Sequence, residues 1–155
     1  MLMLPSLTTP LLATETTRMD AVLALITSDP IDEETLRRAV MTDADGALVL
    51  FSGVVRNHDQ GRSIRSLDYE AHPQAQQLLA ECCQRIADES GLAVAAVHRI
   101  GSLKIGDIAL TAAVASAHRQ VAFDTCARLV DEIKLTVPIW KRQHTMDGVS
   151  EWVGL

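Results

Sequence analysis

At 155 residues the chain is long enough for one domain with a proper hydrophobic core and short for two. Hydrophobic residues make up 48% and charged residues 22%, ordinary proportions for a globular protein, and 14 Lys and Arg against 20 Asp and Glu leave a formal charge of -6. That acidic balance argues against nucleic-acid binding, which asks for a broadly basic face, and an aromatic content of 3% leaves few platforms for stacking bases. No apolar run approaches the roughly 20 residues of a membrane span.

Residues 1–20 read as a flexible N-terminal tail, apolar and Thr-rich with Pro5 and Pro10, ahead of a domain at 21–155. No Lys or Arg precedes Arg18, so the positive region of a secretory leader is missing, and Met19 offers a second possible start. Ala21–Thr27 is the first predicted strand. Asp32 is the expected N-cap of a helix reaching Met41, broken by Asp43-Ala44-Asp45-Gly46. Ala47–Val55 is near-continuously apolar and β-branched, which predicts a central strand, and Arg56–Arg62 follows as a polar loop. Ser63–Ala71 predicts a strand with Ile64, Leu67 and Tyr69 as its apolar members. The next helix is expected to start at Pro73 and stop at Ser90-Gly91. Two more strands, Ala93–Ile100 and Ile108–Ala115, are joined by a loop over Gly101–Asp107. A last helix runs from about Arg119 to Thr136, ended by Pro138, and Ile139–Met146 with Val149–Val153 form a hairpin around Asp147-Gly148. Strands and three helices in irregular alternation indicate an α+β domain.

Cys82, Cys83 and Cys126 are odd in number and lack metal-ligand or CxxC spacing, so they read as small core residues in a reduced, cytoplasmic compartment, with no metal implied. Cationic and titratable groups are dense between Ser116 and Arg142, a locally positive stretch of an acidic chain, which points to a focused anion site. On the last helix, Ala122, Cys126, Leu129, Val130 and Ile133 form one apolar stripe. Lys134 lies roughly 20° from Phe123 in projection and borders that stripe. An amine held against apolar surface is less committed to its charged form and becomes usable as acid, base or nucleophile. The bland alternative pairs Lys134 with Asp131. Lys141 can approach Lys134 around the bend at Pro138, whereas Arg142 should face the other way.

His118 and Arg119 stand at the opposite end of the helix, where free backbone N–H groups favour an anion. Fifteen positions separate Arg119 from Lys134, about 22 Å of helix, so the two cannot hold one small ligand within a chain. A two-fold dimer that brings Arg119 of one protomer to Lys134 of the other is the economical arrangement. Arg56 ends the apolar strand and opens a loop with His58 and Arg62.

Gly53-Val54-Val55-Arg56-Asn57-His58, Leu67-Asp68-Tyr69-Glu70-Ala71-His72-Pro73, His98-Arg99-Ile100-Gly101, Ser116-Ala117-His118-Arg119 and Pro138-Ile139-Trp140-Lys141-Arg142 together resemble the large, catalytic subunit of molybdopterin synthase. The match runs from about Gly46 to Trp152. The resemblance implies an α/β hammerhead-type single domain with a small additional antiparallel sheet, a homodimer, and a heterotetramer with two small ubiquitin-like sulfur-carrier subunits. It implies a sulfurtransferase of molybdenum cofactor biosynthesis that uses the carrier's C-terminal Gly-Gly thiocarboxylate to sulfurate cyclic pyranopterin monophosphate, with no cofactor of its own. Carried over by motif, Lys134 and Lys141 are catalytic, Arg56, His118 and Arg119 hold the phosphate-bearing pterin, and Phe51 lines the tail pocket. Gln143 departs from the Glu of such relatives and Val137 from a basic residue, and the chain ends without the longer extension some members have. The reading from a different class is a non-catalytic module that docks a ubiquitin-like partner.

Overall fold

Small and β-branched residues that are apolar on both faces make a strand fit for the middle of a sheet covered by helices on both sides. Two segments meet that requirement here, β5 (Ala93–Arg99) and β7 (Ile108–Ser116), and both are buried along nearly their whole length. The computed structural model describes residues 22–154, so the expected tail lies outside the described residues. In it the main sheet runs β1–β5–β7–β2, with β1 (Val22–Thr27) parallel to β5 and the other pairs antiparallel. Alternation sorts the two faces. Val94, Ala96, Ala112 and Val114 pack beneath α2 (Ala75–Ser90) and α3 (Arg119–Thr136), while Ala95, Val97, Ala113 and Ala115 meet Leu36 and Val40 of α1 (Glu33–Val40).

Asp32 is the N-cap of α1, its Oδ1 accepting from Glu34 N at 3.1 Å, as its position before the helical pattern predicts. The helix α2 begins two residues later than expected, because Pro73-Gln74 form a turn in which Ala75 N donates to His72 O. All three cysteines are buried, as core packing requires. Arg85 and Arg128 both reach Glu132, and Arg128 also pairs with Glu89, tying α2 to α3 at the surface.

The strand β2 (Ala47–Val54) is an edge, not the central strand its composition predicts. It pairs only with β7 among the described residues and is half-exposed, with Val54 51% accessible. Its branched residues read as more buried than the alanines of β5 and β7, yet only narrow side chains fit between helices on both faces.

The second sheet holds β3 (His58–Asp59), β4 (Arg62–Ala71), β8 (Ile139–Thr145) and β9 (Ser150–Gly154), with β6 (Gly101–Lys104) also on β4. Two segments expected as loops therefore carry strands. Residues 56–62 contain β3, closed onto β4 by Gln60 and Gly61 with φ of 49° and 77°, the positive values a two-residue hairpin turn needs. Residues 101–107 contain β6, whose pairing with Ser66–Tyr69 no local pattern announces. The spacing of Ile64, Leu67 and Tyr69 breaks strict alternation, and the structure shows why. A register shift between Ile64 and Ser66 inserts one residue, so all three share the buried face. The β8–β9 hairpin forms as the Asp-Gly turn predicts.

Candidate active site

The two sheets meet at a cleft of about 390 Å³. Its floor is continuous with the core through Val55, Ile64, Leu67, Leu110 and Ile133, and its polar groups arrive from separate elements. Lys134 comes from the last turn of α3. Val137 N caps that turn by donating to Ile133 O at 2.9 Å, and Pro138 then reverses the chain into β8. Along β8, Ile139, Lys141, Gln143 and Thr145 alternate inward, which sets Lys141 on the cleft wall opposite Tyr69. Arg56 enters just beyond β2, and Phe51 forms part of the rim.

Four of the six residues singled out in the sequence are therefore brought together: Lys134, Lys141, Arg56 and Phe51. His118 and Arg119 are not. They sit exposed at the far end of α3, His118 as the N-cap residue without a side-chain capping bond. Arg142 lies on the outer face of β8 with its guanidinium 5.8 Å from the Trp152 ring, so the cationic stretch of sequence is divided among three places. Lys134 is more exposed than its position beside the apolar stripe suggested, and it makes no ion pair with Asp131 among the described residues.

Two functional groups escaped the sequence reading. Asp59 of β3 accepts from Arg56 at 3.1 Å through Oδ1 and from Gln143 Nε2 at 2.6 Å through Oδ2. The Gln143 amide, with help from Lys141 and Arg56, holds the Asp59 carboxyl below the usual carboxylate range, against a smaller opposing effect of burial. His98, near the end of β5, is 2% exposed and meets Tyr69 edge-on with ring centroids 5.2 Å apart. Burial pushes its imidazole down to about 4, helped by the charge on Lys134. Its Nδ1 lies 2.8 Å from Arg99 O, which fixes the tautomer as Nδ1–H donor and leaves Nε2 as an acceptor. A polar residue inside the apolar run of β5 was the one available signal for His98. Nothing local marked Asp59, because β3 hides within a polar stretch.

The arrangement has defined chemical capacity. Arg56, Lys134 and Lys141 face one carboxylate, so the cleft attracts an anion, and its volume suits a small ligand or an extended peptide end. The family model described as "MoaE protein" matches residues 26–136. The chain belongs to the MoaE protein family.

The molybdopterin synthase catalytic subunit of Staphylococcus carnosus is 41% identical over 131 residues, 83% of this chain and 87% of that protein. Its counterpart in Bacillus subtilis is 38% identical over 131 residues, 83% of each. The crystal structure of molybdopterin synthase from Staphylococcus aureus superposes with a TM-score of 0.78 at 37% identity, covering 86% of this chain and 97% of that one. The hammerhead-type α+β fold inferred from the motif blocks is the fold of this family. In this MoaE chain the departure at Gln143 is a buried amide bonded to Asp59, 5% exposed.

Proposed function

We propose that this chain is the catalytic subunit of a molybdopterin synthase, a sulfurtransferase whose reaction takes place in the cleft between the sheets. The observation that carries the reading is the convergence of Lys134 and Lys141, from α3 and β8, on one cleft that also holds Arg56. The partner is a small ubiquitin-like carrier whose C-terminal thiocarboxylate enters as an anion, and the substrate is a pterin bearing a cyclic phosphate. The carrier's thiocarboxylate sulfur attacks a pterin carbon, and as the new C–S bond forms a C–O bond of that carbon breaks, its oxygen leaving with the electron pair and taking up a proton. Water then attacks the acyl carbon, the C–S bond breaks with sulfur retained on the pterin, and the carrier leaves as a carboxylate.

Lys134 stands beside the acyl group, where its positive charge stabilises the tetrahedral oxyanion, and Lys141 assists proton transfer to and from water. Phe51 borders the channel for the tail, which also touches a neighbouring apolar hollow shared with Phe123 and Val130. Because the length of α3 separates His118 and Arg119 from this cleft, those two residues serve the phosphate of a pterin held at the partner protomer of a homodimer, within a heterotetramer.

Lys134→Ala tests the assignment in a reconstituted assay with thiocarboxylated carrier. Product formation should fall by at least 100-fold while the carrier complex still assembles. Turnover equal to wild type, with the complex intact, would reject catalysis at Lys134 and favour the docking-module reading.

A further inference from the structure

Asp59 supplies the one carboxylate lining the cleft among the described residues. We propose that it is a positioning residue, clamped by the Gln143 amide so that it fixes Arg56 and sets the charge balance at Lys141. The inference rests on the sulfur-transfer reading of the same cleft.

Both carboxylate oxygens are engaged, Oδ1 by Arg56 and Oδ2 by Gln143, and the Asp59 side chain is 17% exposed. The Arg56 contact is local, three residues back along the chain, whereas the Gln143 contact spans 84 positions. The Gln60-Gly61 turn pins β3 against the start of β4, while Gln143 reaches across from β8, two residues beyond Lys141 on the same face. The charged and titratable groups facing Asp59 are Arg56 and His58 on its own segment, Lys141 on β8, Lys134 on α3, His98 on β5 and Tyr69 on β4. Lys141 makes no direct ion pair with Asp59, so their coupling acts through space.

The identity of residue 143 follows from that network. An amide can donate to Oδ2 at 2.6 Å, whereas a carboxylate in its place would set two anions in contact and force a proton into the pair. Without the Asp59 charge, Arg56, Lys134 and Lys141 would repel one another with nothing in the cleft to hold them, and the anchor for Arg56 would be gone.

Asp59→Asn keeps the side-chain shape and an acceptor for Gln143 while removing the charge. Expected outcomes are an intact fold, carrier binding like wild type, and a fall in kcat of about 10–100-fold. With its carboxylate anchor gone, the Arg56 guanidinium should become more mobile, followed by NMR of its side-chain Nε–H in the complete chain. The double variant Asp59→Asn/Gln143→Glu returns a carboxylate to the other end of the same hydrogen bond. It should recover most of the activity. An Asp59→Asn protein with unchanged kcat and an Arg56 side chain as ordered as in wild type overturns the proposal, as does a folded double variant that recovers no activity. Absence of product from the wild-type chain would be a separate failure, that of the sulfur-transfer reading, and the NMR of Arg56 would still decide the role of Asp59.

Discussion

Replacing His98 by Gln should remove a pH dependence of stability whose size follows from the structure. The folded chain keeps the imidazole neutral down to about pH 4, because it is buried and Lys134 is near, whereas an unfolded chain protonates it near 6.5. Between those values the unfolded state binds more protons, so this contribution is fully present above pH 6.5 and is lost as pH falls toward 4. At roughly 1.4 kcal/mol per pH unit, the group costs the fold about 2 kcal/mol by pH 5 and about 3 kcal/mol in all. For a chain of this size, 2 kcal/mol corresponds to a Tm lowered by roughly 4–8 °C. The assay is urea unfolding of wild type and His98→Gln from pH 7.5 to 5. Asp59 and Asp68, whose carboxyls are held low by their hydrogen bonds, titrate below this window and are common to both proteins, so they cancel in the difference. Curves that stay parallel across the range would refute the buried, neutral histidine and the fixed tautomer assigned to it.

Gly46 lies where an added Cβ would meet Ala117 O at 2.8 Å, at the corner that leads into α3. Gly46→Ala should cost about 2 kcal/mol, read as a drop in Tm, and an unchanged Tm would show that this corner can give. Leu129→Ala empties a fully buried position between α3 and the sheet and should lower unfolding free energy by about 3 kcal/mol in urea, with less than 1 kcal/mol contradicting the packing described. Mixing an Arg119→Ala chain with a Lys134→Ala chain should restore about a quarter of wild-type turnover if each cleft borrows Arg119 from its two-fold partner. No recovery from confirmed mixed dimers would mean that sites are built within single chains.

Much of the architecture is legible in local pattern because its causes are local. Asp32 caps α1 through its own side chain, the stripe from Ala122 to Ile133 buries one side of α3, and Asp147-Gly148 turns β8 into β9. The meeting of Lys134 and Lys141 was foreseeable for the same reason, since only six residues, one of them Pro138, lie between them. Tertiary structure decided the rest. The place of β2 at the sheet edge depends on which strands the helices cover, and two-sided burial selects the narrow alanines of β5 and β7 over the branched residues of β2. β3 and β6 exist as strands because β4 lies beside them, so nothing in their own residues announces them. Asp59 and Gln143 stand 84 positions apart, and His98 acquires its chemistry from burial among elements distant in the chain. Periodicity and capping are written in neighbouring residues, whereas charge balance and dielectric environment belong to whatever the fold brings close in space.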